Sequence, residues 1–314
     1  MQQEANPLIL TGGDPAGISP EIIEKVAHVL SGQHVIYFAT SGKRHQEQFL
    51  RNLKNSTHVH IIDVLEKLNL SEAKSGIPSY ESGLLSLTAL KLACEFIANH
   101  KVCGLCTAPL SKEAVSLVVP DFHGHTDYLA DFFQSDVIML MHGLRFSVIP
   151  LTVHIPLQSV SEKLKIALYK PSLISLLKKL QTYSSYQGPV AIASLNPHAG
   201  ENGLLGSEEN DFIIDAAGKM QQAGIPIEGP FPADGLFQED IRSRYRLILT
   251  CYHDQGLIPF KAIEGKNGVN VTIGLPFLRT SPDHGTAFNI AGRGIADSTS
   301  MKRSLQVLLN GEFS

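Results

Sequence analysis

Short apolar runs alternate with segments of helical periodicity along most of the chain. The runs that predict strands are residues 8–10, 35–39, 59–62, 102–107, 147–153, 190–195 and 247–251. Segments 81–99, 160–181, 207–223 and 285–309 predict amphipathic helices. Strands that are apolar almost throughout are typical of sheets covered on both faces, so the pattern predicts a doubly wound α/β/α fold with a mainly parallel sheet.

Composition narrows the class of protein further. The 314 residues are 43% hydrophobic and 18% charged, which excludes a disordered chain and suits two domains or one α/β unit with two lobes. The net charge is −4, and no run of Lys and Arg exceeds two residues, so we expect no nucleic-acid partner. The longest apolar stretch, 137–157, is interrupted by His142, Arg145 and His154, so we expect no membrane span. Four dispersed cysteines and an N-terminus unlike a signal peptide predict a cytoplasmic protein.

Three histidines follow three different predicted strands. His154 comes after the run that ends at 153, His198 after the run that ends at 195, and His253 after the run that ends at 251. Ligands of such folds bind at the carboxyl ends of the strands, and imidazoles suit Zn²⁺ or Co²⁺. Because no local ligand motif such as HExxH supports the set, a metal site and ordinary loop histidines stay equally open.

Two further segments carry candidate chemistry. Residues 123–127 precede a predicted helix for which Thr126 or Asp127 would be the N-cap, and its N-terminus could receive an anion; a simple capped turn is the alternative. Lys261, Asn270 and Arg279 could bind phosphate or carboxylate, and glycines 285, 292 and 294 allow close approach of a flat ligand. A Gly-rich loop with solvated basic residues is the alternative. The loop 12–17 matches no dinucleotide or P-loop fingerprint and predicts a tight turn into a helix capped by Ser19.

Taken together, these motifs resemble the 4-hydroxythreonine-4-phosphate dehydrogenase family of vitamin B6 biosynthesis. The matching blocks are residues 13–17, 109–112, 124–126, 154–157, 196–201, 229–234, 253–256 and 270–287. Segment 284–297 is similar to the adenine-side cofactor loop of isocitrate and isopropylmalate dehydrogenases. The resemblance therefore implies their fold, with two lobes around a cleft. The approximate lobes are 1–135 plus 275–314 on the cofactor side, and 136–274 on the metal and dimerisation side.

The resemblance also implies roles for individual residues. The implied metal ligands are His154, His198 and His253, which would hold one divalent ion (Zn, Mg or Co). The implied substrate contacts are His125, Thr126, Lys261, Asn270 and Arg279, and the implied catalytic residues are Asp234, Asp254 and Lys261. The implied contacts to NAD or NADP are His284, Gly285, Thr286 and Asn289. Members are homodimers with a shared active site, in which one metal histidine comes from the partner.

The implied reaction is NAD(P)-dependent oxidation of the secondary alcohol of 4-phosphooxy-L-threonine, followed by loss of CO₂ from the 3-oxo acid. Ser19 and Asn289 replace a glycine and an aspartate that are usual in the family, and Gly235 stands where a threonine is usual. Two alternatives stay open. One is a sister dehydrogenase acting on 4-phosphorylated threonate or erythronate. The other is a phosphate acyltransferase, which shares the general fold and needs neither the metal nor the nicotinamide.

Overall fold

The computed structural model describes residues 6–54 and 57–310, and within these ranges the chain forms eleven strands. They are β1 Leu8–Thr11, β2 His34–Ala39, β3 His58–Asp63, β4 Gly104–Thr107, β5 Ile138–His142, β6 Ser147–Pro150, β7 Val190–Ala193, β8 Ile227–Phe231, β9 Leu247–Thr250, β10 Val269–Ile273 and β11 Leu278–Pro282.

The same ranges contain thirteen α-helices. They are α1 Ser19–Val26, α2 Lys43–Asn52, α3 Val64–Leu68, α4 Tyr80–Asn99, α5 Lys112–Ser116, α6 His125–Phe132, α7 Val160–Leu168, α8 Pro171–Gln181, α9 Ile214–Gln222, α10 Ala233–Leu236, α11 Glu239–Arg242, α12 His253–Glu264 and α13 Thr299–Asn310. A π-helical turn, Glu209–Ile213, leads into α9. No helix in these ranges combines the length and the apolar character that crossing a bilayer requires.

The described residues divide into two compact units. The first comprises residues 6–54, 57–135 and 275–310, and the second comprises residues 136–274. Residues 1–5, 55–56 and 311–314 of the predicted cofactor-side lobe lie outside the described residues. The chain therefore leaves the first unit after α6 and returns to it with β11.

The first unit contains five parallel strands in the order β3-β2-β1-β4-β11. Every residue of β1 and β4 is buried, as the continuous apolar runs predict for strands covered on both faces. Leu8, Leu10 and Val35 form a core with Ile22 of α1 and Met301 of α13. The helices that follow the strands thus cover the sheet, and the predicted doubly wound, mainly parallel arrangement is confirmed.

The second unit contains six strands in the order β10-β5-β6-β9-β7-β8. Strands β6, β9, β7 and β8 run parallel to one another, whereas β5 pairs antiparallel with both β10 and β6. Phe146, Tyr245 and Phe260 are fully buried in its core. The parallel strands β6, β7 and β9 bring the loops that follow them to the same edge of the sheet.

Three predicted local features are wrong. Ser19 does not cap α1; Ile18 occupies the N-cap, and the Ser19 hydroxyl donates instead to the Pro109 carbonyl at 2.9 Å. The helix predicted from residue 126 or 127 begins at His125, directly after Gly124, and no side chain caps it. At α1, the Ser19 hydroxyl is used in a tertiary hydrogen bond to Pro109 and does not cap the helix. At α6, the residue before the helix is Gly124, which has no side chain that could cap it.

The predicted helix over 285–309 is also wrong in its first half, because α13 begins only at Thr299. Ala287, Gly292 and Gly294 have φ angles of 44°, 73° and 73°, which a right-handed helix does not allow. The Glu21 carboxylate accepts hydrogen bonds from the backbone of Gly294 and Ala296 at 3.2 and 2.7 Å and fixes this segment as a loop. The segment is therefore an extended loop that precedes a shorter helix.

Candidate active site

In the first unit, a buried arginine lies beside two other basic groups. Arg279 of β11 is 2% exposed, and its Nε and Nη2 donate to Thr107 Oγ1 at 3.2 and 2.6 Å. Burial lowers the pKa of Arg279 to about 10, so the guanidinium stays charged near neutral pH. Thr107 ends β4, which pairs with β11, so sheet register sets the direction of the arginine.

His125 begins α6, and its pKa is affected by the charges of Arg279 and Lys112. Burial, and then the positive charges of Arg279 and Lys112, hold the pKa of His125 well below its usual range. The ring is therefore neutral near pH 7 and can both donate and accept a hydrogen bond. Thr126 follows on the first turn and is partly exposed. The structure thus places three of the predicted substrate contacts, His125, Thr126 and Arg279, in the first unit.

Lys112 is a residue that the sequence did not single out as a ligand. It opens α5, whose N-cap Ser111 accepts a hydrogen bond from Ala114 N at 3.1 Å. A β-carbon added at Gly124 would lie 3.1 Å from Lys112 Cε and 3.6 Å from its Nζ, so the lysine packs closely on this glycine. The sequence does give one indication of its importance, because Lys112 lies in the 109–112 block that follows β4.

The loop after β1 contains a second residue that the sequence did not single out. Asp14 is fully buried, and its Oδ1 accepts a hydrogen bond from Ala16 N at 2.9 Å. Burial raises the pKa of the Asp14 carboxyl above its usual range, although hydrogen bonds from Ala16, Ser82 and Ser111 oppose the shift. Asp14 thereby connects the β1–α1 loop to the N-terminal regions of α4 and α5.

The candidate cofactor residues lie on the extended loop before α13. Thr286 O accepts a hydrogen bond from Ile18 N at 2.9 Å, and a β-carbon at Gly17 would lie 2.7 Å from the same oxygen. His284 Nδ1 contacts Gly285 O at 3.1 Å, while its Nε2 is buried and has no hydrogen-bond partner among the described residues. Asn289 is exposed. The loop is therefore packed against the β1–α1 turn and offers both a buried ring nitrogen and an exposed amide.

In the second unit, two of the three candidate metal ligands are neighbours. The ring centroids of His154 and His253 are 5.6 Å apart. His253 begins α12, and its Nδ1 lies 2.6 Å from Asp254 Oδ1. A carboxylate in that position directs the Nε2 lone pair of the imidazole outward, as in many metal sites. Both rings line a cavity of about 550 Å³, together with Thr152, Ile155, Leu157, Val160, Tyr252 and Asp254.

Hydrogen bonds join the loops at this edge of the sheet. Thr152 Oγ1 donates to Cys251 O at 2.7 Å, which links the loop after β6 to the loop after β9. Gln255 Oε1 accepts from Cys251 N, and Gln255 Nε2 donates to Ser194 O, both at 2.7 Å. Gln255 therefore links the loop that carries His253 to the loop that carries His198.

His198 itself does not join the pair. It is exposed on a short turn after β7, and no group of three His, Cys, Asp or Glu side chains suited to a metal ion occurs within residues 6–54 and 57–310. The three predicted ligands are thus not assembled by the described residues of a single chain. His154 has a φ of 51° and His198 a φ of 52°, so both project from backbone that L-residues rarely adopt.

The remaining candidates of the second unit are spread over three elements. Lys261 lies seven residues after Asp254 on α12, so the two exposed side chains share one face of the helix. Asn270 of β10 is partly exposed, yet its Oδ1 is buried without a hydrogen-bond partner in the described part of the chain. A buried unsatisfied acceptor of this kind is suited to a ligand. Asp234 is exposed on α10.

The fold is shared with remote solved structures. A β-decarboxylating dehydrogenase from Thermococcus kodakarensis superposes with a TM-score of 0.52 at 13% identity, covering 97% of this chain and 83% of that one. A phosphotransacetylase from Staphylococcus aureus superposes with a TM-score of 0.53 at 12% identity over 97% and 94%. Likenesses this remote establish the shared fold alone. The chain thus has the fold of β-decarboxylating dehydrogenases.

The family follows from closer similarities. Residues 16–308 match the family model described as pyridoxal phosphate biosynthetic protein PdxA, and the chain belongs to this family. The 4-hydroxythreonine-4-phosphate dehydrogenase of Paracoccus denitrificans is 35% identical, covering 97% of both chains. The D-threonate 4-phosphate dehydrogenase of Salmonella typhimurium is also 35% identical, over 98% of this chain and 99% of that one. The crystal structure of the 4-hydroxythreonine-4-phosphate dehydrogenase from Klebsiella pneumoniae is 32% identical, with a TM-score of 0.80 over 98% of each chain.

Proposed function

We propose that this protein is a divalent-metal-dependent, NAD(P)-linked dehydrogenase that oxidises 4-phosphooxy-L-threonine in pyridoxine 5′-phosphate biosynthesis. The product, 2-amino-3-oxo-4-phosphooxybutanoate, then loses CO₂ to give 3-amino-2-oxopropyl phosphate, because the carbonyl β to the carboxylate accepts the electron pair. Membership of the PdxA family supports the reaction class. A biosynthetic enzyme of this kind is expected in the cytoplasm.

The observation that carries the proposal is the His154–His253 pair backed by Asp254. Two imidazoles with ring centroids 5.6 Å apart and an orienting carboxylate at 2.6 Å fit a divalent ion. We assign the third position to His198 of a second subunit, since the described residues of one chain assemble no group of three. A metal ion held there supplies Lewis-acid catalysis, which lowers the pKa of the alcohol that is to be oxidised.

The first unit is proposed to bind the phosphate. Arg279 is held rigidly by Thr107 and offers a planar fork that suits phosphate oxygens. Lys112 adds a second cation, and neutral His125 can hydrogen-bond to a substrate oxygen without adding charge. Thr126 contributes a hydroxyl beside it. Lys112 and Arg279 belong to the same unit, and Lys261, which the sequence predicts to bind a substrate anion, stays a candidate beside them.

The second unit is proposed to orient the reacting end of the substrate. Asn270 Oδ1, which is buried without a hydrogen-bond partner in the described part of the chain, accepts a hydrogen bond from the substrate. Lys261, on the same face of α12 as Asp254, pairs with the substrate carboxylate. Removal of the hydroxyl proton is assigned to the group of Asp234, Asp254 and Lys261.

A nicotinamide cofactor, when bound, would supply the hydride acceptor. The loop that carries His284, Gly285, Thr286 and Asn289 is the proposed adenine-side contact. His284 Nε2, which is buried and has no hydrogen-bond partner among the described residues, supports this assignment.

The test is a substrate panel with both NAD and NADP, followed by the absorbance of reduced nicotinamide. 4-Phosphooxy-L-threonine should give reduced cofactor only when a divalent ion is present, and the dephosphorylated compound should be a poor substrate. A protein that forms acyl phosphate from acyl-CoA and phosphate, and never reduces the cofactor, would be an acyltransferase.

A second candidate substrate is D-threonate 4-phosphate. The Salmonella typhimurium relative that carries this name is as similar to the chain as the Paracoccus denitrificans one, at 35% identity. Gly235, beside Asp234, is a position at which a substitution could change the preference between the two substrates. A β-carbon there would meet no atom within 4 Å. Gly235→Thr is therefore accommodated, and a change in the ratio of kcat/KM for the two substrates would identify position 235 as a specificity residue.

A further inference from the structure

The turn that carries His198 has an unusual backbone. Five consecutive residues, 198–202, have φ angles of 52°, 54°, 76°, 43° and 56°, and only the third is glycine. L-residues disfavour this left-handed conformation, and a run of them does not form without support from its surroundings. Something outside the turn must therefore hold it in place.

The support is a buried glutamate at the start of the π-helical turn. Glu209 is 2% exposed, and its Oε1 accepts hydrogen bonds from Leu195 N and Asn196 N, both at 2.8 Å. Its Oε2 accepts a third from Asn196 Nδ2 at 2.9 Å. The carboxylate thus holds two of the residues that lie between β7 and the turn.

The turn also fits tightly against this carboxylate. A β-carbon at Gly200 would lie 2.7 Å from Glu209 Oε2 and 2.8 Å from Gly206 O. Leu205 N donates to Gly200 O at 3.1 Å and closes the turn. Glu209 therefore contacts the turn both at its entry and at its middle.

We propose that Glu209 is a positioning residue for the metal site, which acts by fixing the backbone from which His198 projects. The proposal rests on the proposed function in one respect, namely that His198 ligates a divalent ion. Glu209 itself does not touch the ion or the substrate. Its effect is to hold one imidazole in the direction in which a second subunit can use it.

The chain offers a matched control in Glu264. This residue is 3% exposed, and its carboxylate accepts hydrogen bonds from Leu144 N, Arg145 N and Phe146 N at 3.0, 2.7 and 3.1 Å. It braces the β5–β6 turn, which contains no candidate metal ligand. Removing either carboxylate therefore removes three hydrogen bonds to a buried glutamate. Only the loop held by Glu209 carries a proposed metal ligand.

The experiment measures Co²⁺ binding by visible absorption, together with the thermal midpoint of the metal-free, full-length protein. The variants are Glu209→Ala, Glu209→Gln, Glu264→Ala and His198→Ala. Glu209→Ala should weaken Co²⁺ binding about 10- to 100-fold, as the loss of outer-shell support typically does. Glu209→Gln, which keeps an oxygen for the two backbone donors, should recover part of this loss. Glu264→Ala should lower the thermal midpoint but leave Co²⁺ affinity within about twofold.

If Glu209→Ala fails to fold, Asn196→Ala gives a milder disturbance, because it leaves both backbone hydrogen bonds to Glu209 intact. It should weaken Co²⁺ binding measurably, but by less than His198→Ala does. The inference is overturned if Co²⁺ affinity is lost in His198→Ala but unchanged in the Glu209 and Asn196 variants. It is also overturned if Glu264→Ala weakens binding as much as Glu209→Ala. Wild-type affinity in His198→Ala would instead contradict the proposed metal site itself.

Discussion

The basic group of the first unit and the imidazoles of the second unit are held in opposite ways. Arg279 is almost completely buried and is fixed by two hydrogen bonds to Thr107, whereas His154 and His198 are exposed at the ends of strained loops. Burial shifts the pKa values of Arg279 and His125. The first group is thus organised by the folded chain before any ligand arrives.

The imidazoles are organised only in part. His154 and His253 are adjacent and His253 is oriented by Asp254, but no third donor joins them among the described residues. The comparison teaches that one chain can fix a basic group by burial while leaving the proposed metal site incomplete. In this account, folding alone produces the first group, and subunit association completes the second.

The largest expected effect comes from removing one of the paired imidazoles. His253→Ala should lower kcat/KM by about 1000-fold, since Lewis-acid stabilisation is worth several kcal/mol. The exposed His60 on β3 provides the control, and His60→Ala should leave both activity and Co²⁺ affinity unchanged. A chelator should abolish wild-type turnover to the same extent. Full activity of metal-free His253→Ala would break the comparison, because the imidazole pair would then have no catalytic role.

A smaller but more selective effect is expected at Arg279. Arg279→Ala should cost about 2–4 kcal/mol in kcat/KM for the phosphorylated substrate, because a charged hydrogen-bonding partner is lost in a desolvated position. Arg279→Lys should lose less, yet still more than tenfold, because an ammonium group lacks the planar fork. The dephosphorylated substrate should show almost no loss with either variant. Equal losses with both substrates would mean that Arg279 serves the fold or the cofactor instead.

The smallest effect concerns the pH dependence of stability. The pKa of His125 is lowered in the folded protein, so below its ordinary pKa of about 6.5 the unfolded chain binds a proton that the native state refuses. The free energy of unfolding should therefore fall as the pH drops from 7 towards 5, by less than about 1.4 kcal/mol per pH unit from this residue. Denaturant titrations of wild type and His125→Asn should diverge in slope over this window and run parallel at pH 8. Parallel curves throughout would show that the ring is not desolvated.

Much of the fold could be predicted from the apolar pattern, because buried parallel strands such as β1 and β9 consist of continuous apolar residues. The apolar pattern did not predict β5 and β10. It also missed β8 and β11, for a physical reason. The first contains Gly229 and Pro230, which disfavour strands, and the second contains Arg279 and ends in Pro282. Their strand conformation is set by pairing with neighbours rather than by local preference.

Some residues of the candidate site could also be predicted from the sequence, and others could not. Motif resemblance identified His125 and Arg279, but nothing local indicates that Thr107 would hold the arginine. Glu209 reads as an ordinary charged residue of a helix start, and only the fold shows it buried beneath the turn that carries His198. Residues that act by holding another residue can be recognised only from three-dimensional contacts. The local sequence pattern does not show these contacts.

The central claim, that the metal site is completed by a second subunit, is tested most directly by mixing two inactive variants. His198→Ala and His253→Ala would be unfolded together and refolded in equal amounts, with each variant alone as the control. If His198 and His253 of one site come from different chains, half of the dimers formed are mixed, and each mixed dimer has one intact site. The mixture should then recover about a quarter of wild-type kcat. Activity no higher than that of the separate variants, with mixed dimers demonstrated by mass spectrometry, would contradict the account.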